Sequence, residues 1–136
     1  MAYFPPVVKN TEEALNYLAK LAQALATVVT SAAPTLTAAA AAFVTHGIYS
    51  LSGGTTCTIT SPTAAQIVAA LDNPQVGTSF VVSIVNANSG TATMAGGTGV
   101  TVVGLATAAT NTSATFRGVV TNATSGAEAV SLYRVD

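Results

Sequence analysis

The chain has 136 residues, of which 50% are hydrophobic and 7% charged, with a formal net charge of -1. Ordinary domains carry about 25% charged residues, so attraction to nucleic acid or to an anionic membrane has no source here. So apolar a chain is poorly soluble alone, which predicts oligomerisation or attachment to a larger assembly.

The N-terminal stretch 1–10 contains Tyr3, Phe4, Pro5 and Pro6. Proline fixes φ and opposes helix, so an extended arm that docks its aromatics is expected. Asn10 and Glu13 form a capping-box arrangement that predicts a helix ending by Pro34. Leu15, Leu18, Ala22, Leu25 and Val29 recur at alternating steps of three and four, the spacing of an apolar helical seam. Repeated Thr and Ser with Pro34 interrupt the apolar span 24–45, and Glu12 and Glu13 stand where a signal peptide needs positive charge, so no membrane span or leader is expected.

From residue 43 the pattern changes. Strands are expected over 43–51 and 55–60, with Ser52-Gly53-Gly54 as the turn between them. Ser61 followed by Pro62 reads as a helix cap and first helical position, opening a helix that buries Ile67, Val68 and Leu71. Asp72-Asn73-Pro74 stops it. Strands follow at 79–86, 91–95, 100–103, 106–108, 112–121 and 128–135, cut by Gly, Asn and Ser roughly every 8–12 residues, the rhythm of an antiparallel sandwich or barrel. Phe80, Val82 and Ile84 alternate with Val81, Ser83 and Val85. The first set should face inward together with Phe116, Val130 and Leu132. The fold expected is mainly β: an antiparallel, jelly-roll-like β-sandwich over 43–136 with one short internal helix, preceded over 1–42 by the arm and N-terminal helix, an attachment or oligomerisation element.

Reactive residue types are scarce. His46 is the only histidine, and Cys57 is the only cysteine, which excludes an intrachain disulfide and a thiolate zinc site. The carboxylates are Glu12, Glu13, Asp72, Glu128 and Asp136, and no two are spaced as an acid–base pair. Gly96-Gly97-Thr98-Gly99 leads into a strand, whereas a phosphate loop opens a helix. Arg117 and Arg134 lie in strand patterns, with Glu128 as a candidate partner. The residues point to no enzyme, cofactor or metal.

The order and spacing of the motifs at 62–68, 76–86, 90–93, 97–101, 112–117 and 125–134 resemble a module of tailed-bacteriophage virion proteins. They run from Pro-Thr-Ala-Ala-Gln-Ile-Val through Val-Gly-Thr-Ser-Phe and Thr-Ser-Ala-Thr-Phe-Arg to Glu-Ala-Val-Ser-Leu-Tyr-Arg. The resemblance covers just over half the chain and leaves out the N-terminal helix. It implies a non-enzymatic capsid decoration (cement) protein on the virion exterior, made in the host cytoplasm. Its partner would be the major capsid protein or another virion protein, and its state a homo-oligomer, commonly a trimer, with no nucleic acid and no membrane bound. The alternative is a head- or tail-fibre protein in host attachment. Contact residues are expected at Tyr3, Phe4, Pro5, Pro6, Leu15, Leu18, Leu25 and Val29.

Overall fold

Thr27-Val28-Val29-Thr30 is a run of β-branched residues, which favour the pleated strand over the helix. In the computed structural model, which describes residues 11–15 and 26–136, residues 11–15 are helical (α1) and residue 26 is already outside any helix. The β-branched run forms β1 (Thr27–Ser31). The expectation of a helix reaching Pro34 is therefore corrected: Val29 lies on a strand, its side chain packed against the core. The seam positions Leu18 and Leu25, and the arm residues Tyr3, Phe4, Pro5 and Pro6, lie outside the described residues.

The chain continues through β2 (Thr35–Thr37), α2 (Ala40–Val44), β3 (Gly47–Leu51), β4 (Cys57–Thr60) and α3 (Ala64–Ala70). It ends with β5 (Ser79–Asn86), β6 (Ala92–Ala95), β7 (Val100–Val103), β8 (Thr107–Ala108), β9 (Thr112–Asn122) and β10 (Ala129–Arg134). The fold is β-rich. The strands form a six-stranded sheet in the order β1-β3-β5-β9-β10-β7 and a four-stranded sheet in the order β2-β4-β6-β8.

From β1 to β6 the chain changes sheet after every strand, so each sheet receives every second strand. Successive windings then run in the same direction. β1 pairs with β3 and β3 with β5 in parallel, as do β2 with β4 and β4 with β6, and β7 joins β10 in parallel. Only β5–β9, β9–β10 and β6–β8 are antiparallel. This corrects the antiparallel expectation. A parallel pair needs a crossover connection, and here the second sheet supplies it. The boundary expected at residue 42 is also displaced, because 27–37 contribute one strand to each sheet.

Parallel register stacks like upon like. Val29, Tyr49 and Ile84 align across the six-stranded sheet, and Leu36, Ile59 and Met94 across the other. Both columns belong to one core with Phe116, Val120, Val130 and Leu132. The inward set Phe80, Val82, Ile84, Phe116, Val130 and Leu132 is buried as the alternation predicts. Gly118 stands opposite Phe80, whose ring occupies the space a β-carbon at 118 would need. The glycine thus makes room for the largest side chain on that row.

Two local readings change. Residues 43 and 44 belong to α2, where Phe43 is fully buried with its ring 5.6 Å from Phe80 and 6.3 Å from Tyr49. His46 follows at φ 44° in the turn to β3. Helix α3 is capped by Thr63, whose side chain accepts from Gln66 N–H at 3.2 Å while the Gln66 carboxamide accepts from Thr63 N–H at 3.0 Å. Ser61, expected as the cap, instead accepts from Gly97 N–H at 2.8 Å and donates to the Pro62 carbonyl. It ties the helix approach to the turn after β6.

Phe116 is completely buried at the centre of this core. Phe116→Ala should cost about 3–5 kcal/mol in urea unfolding, through lost burial and the cavity left behind. A loss under about 1 kcal/mol would place the ring at the surface.

Candidate interaction surface

Alternation along a strand sends every second side chain to the outer face. On the six-stranded sheet these residues are almost all Val, Ile, Ser and Thr. Pairing aligns Val81, Arg117, Tyr133 and Val103 in one row across four strands. Val28, Ile48, Ser83 and Thr115 form a second row, in which the Ser83 and Thr115 hydroxyls are 3.3 Å apart. Arg117 is exposed, and Val28, Val85, Val103 and Tyr133 are 40–60% exposed. Helices α2 and α3 do not cover this face, since Phe43 of α2 and Ile67 of α3 are buried in the shared core. Among the described residues Arg117 is its single charge.

The four-stranded sheet has a different outer face. Thr35, Thr58, Thr93 and Thr107 stand in one register row across all four strands, with Thr37, Thr60 and Ala95 in the next. Each threonine offers a methyl and a hydroxyl group, and cross-strand threonine pairs support the sheet. Among the described residues this face carries no charge.

The polar chemistry inside the protein holds turns together. Asn86 is 1% exposed. Its Nδ2 donates to the carbonyls of Gly90 at 2.9 Å, Ala108 at 2.9 Å and Ala109 at 3.1 Å, and its Oδ1 accepts from Asn88 N–H at 3.0 Å. The Asn88 Oδ1 in turn accepts from Gly53 N–H. One chain of amides thus links the turns after β3, β5 and β8. A depression of about 440 Å³ beside Asn86, and another of about 620 Å³ walled by alanines between α2 and α3, contain no charged side chain.

The other candidate residues are dispersed. Leu15 is 61% exposed on α1, a different element from β1, which carries Val29. Cys57 is buried, and burial pushes its thiol pKa up, away from the reactive thiolate. The pairing considered for Glu128 is corrected: its carboxylate accepts from Gly126 N–H at 3.1 Å, whereas Arg134 pairs with Asp136. Arg134 also donates to the carbonyls of Leu105 and Thr107 and lies 5.8 Å from the Phe116 ring centroid, so it binds β10 to the β8 turn. Among the described residues no three of His, Cys, Asp and Glu come together as metal ligands, and no helix is long and apolar enough to cross a membrane.

No family model matches the chain, and the curated proteins and the solved structures give no match either.

Two substitutions test the interior. Asn86→Ala removes one donor from each of the Gly90, Ala108 and Ala109 carbonyls and the acceptor of Asn88 N–H, and should destabilise by at least about 2 kcal/mol; a smaller loss would show that water replaces the amide. Tyr49 is 1% exposed and its hydroxyl has no partner among the described residues. Tyr49→Phe should therefore be neutral or stabilising by about 1 kcal/mol at pH 7. Burial also pushes the Tyr49 pKa from 10.0 up to about 12. The folded state holds this proton more tightly, so the resulting stability is complete below pH 10 and is lost as pH rises towards 12. The phenylalanine variant should escape that loss in alkaline unfolding. A variant less stable than wild type at pH 7 would show that the hydroxyl is bonded.

Proposed function

We propose that this chain is a non-enzymatic structural protein of a tailed-bacteriophage virion, a capsid decoration protein seated on the outer lattice. The observation that carries the reading is the outer face of the six-stranded sheet: broad, built of small β-branched and hydroxyl side chains, and bearing among the described residues the single charge Arg117. Depletion of charge, with Tyr and Arg among the contacts, characterises the core of a protein interface. The Asn86 and Asn88 amides and the Ser61 hydroxyl are engaged in holding turns, and the ordered motifs from 62 to 134 resemble virion modules.

In this reading the two sheets act as a sandwich whose wide face meets the major capsid protein or another virion protein. The protein acts as a homo-oligomer, a trimer in keeping with the resemblance. Several copies joined together engage the lattice at several points, and each further contact becomes effectively intramolecular. Such binding braces the shell against internal pressure without any reaction.

Copy number in purified particles tests the proposal. A lattice-covering protein should be present on the order of hundreds of copies, because each repeats with the shell symmetry. A few to dozens of copies would assign a fibre instead. Absence from particles would overturn the virion reading.

A further inference from the structure

We propose that the outer face of the six-stranded sheet docks a protein partner that presents a carboxylate to Arg117. The inference rests on the virion reading and specifies the chemistry of the partner surface. Arg117 lies on β9, with Val81 of β5 on one side and Tyr133 of β10 on the other. Among the described residues the ion pair present is Arg134 with Asp136, and Arg117 has no ion pair or hydrogen bond. The described strands of this face carry no carboxylate, and those next to β10 are engaged elsewhere: Asp136 by Arg134, and Glu128 by Gly126.

Charge decides among the occupants. A second copy seated face to face would bring two guanidinium groups onto an interface without a carboxylate, and an unpaired buried charge is strongly unfavourable. Nucleic acid is held by many cations, and the described strands of this face carry one. A protein surface with an Asp or Glu opposite Arg117 satisfies the planar fork through two parallel hydrogen bonds. Tyr and Arg are the side chains enriched at interface centres. Six strands at about 4.8 Å spacing span roughly 24 Å, room for a contact patch of ordinary width. Val81 and Val103 at the ends of the row would help keep water from the ion pair.

The test is a binding titration on particles of the source virus stripped of this protein. Wild type, Arg117→Glu, Arg117→Gln, Arg117→Lys and Thr58→Glu are compared, each first checked for an unchanged thermal transition. Arg117→Glu and Arg117→Gln should weaken binding by on the order of 100-fold, as expected when one member of a buried charge pair is lost. Arg117→Lys should recover part of it, and Thr58→Glu, on the other sheet, should bind as wild type. If Arg117→Glu binds at full strength while Thr58→Glu does not, the docking face is the four-stranded sheet and the inference fails while the virion reading stands. If Arg117→Glu dissociates an oligomer of this chain in sedimentation, the occupant is a second copy and the inference fails in that way. If wild type itself does not bind, the virion reading fails with it.

Discussion

The carboxamide of Asn86 joins parts of the chain that meet nowhere else in sequence. Its amine reaches three carbonyls in two different turns while its oxygen takes a backbone amide. A winding that changes sheet after each strand must reverse direction at every crossing, and the turns leave backbone groups that neither sheet can pair. A buried polar group without a partner is costly, so these groups need partners that reach across windings. Asn86 donates to the carbonyls and accepts from Asn88 N–H, while Asn88 and Ser61 accept from the Gly53 and Gly97 N–H groups, all without introducing charge. With the turns held, register is fixed, and the inward columns meet as one core.

The same economy of charge shapes the outside. Strand alternation leaves each outer face to threonine, serine and valine, which suit the pleated surface through their branched carbons. Where most domains place lysine and glutamate, this one places methyl and hydroxyl groups. Such faces lose little hydration energy when another protein covers them. Arg134, the other arginine of the strands, is drawn into the β8 turn and onto Phe116. That leaves Arg117 as the one charge among the described residues of the wide sheet's outer face.

Much of this was legible in the residues. The strands at 79–86 and 100–103 coincide with their expected limits, because alternation and flanking glycines are local signals. The inward choice of Phe80, Val82 and Ile84 follows from the same alternation. The parallel pairing was not legible, since it depends on which strand lies beside which, and short alternating strands look alike in either direction. The N-terminal reading failed at Val29 for a definable reason. Its spacing continued the apolar seam, but Thr27, Val28 and Thr30 around it are all β-branched, and sheet pairing with β3 prevailed. Residues 43 and 44 were lost to α2 in the opposite sense, where an alanine run carried Phe43 into the core as a helix. Of the contact residues expected, Leu15 and Val29 fall on separate elements. The face around Arg117 was missed because a row becomes visible only when four strands are placed side by side.

The most direct measurement is a cryo-EM map of the assembled particle at a resolution that distinguishes the two sheets. The account predicts the six-stranded sheet facing its neighbour, with a carboxylate of that neighbour against Arg117. A map in which that sheet faces solvent, and the protein is held through its four-stranded face or its turns, would contradict it.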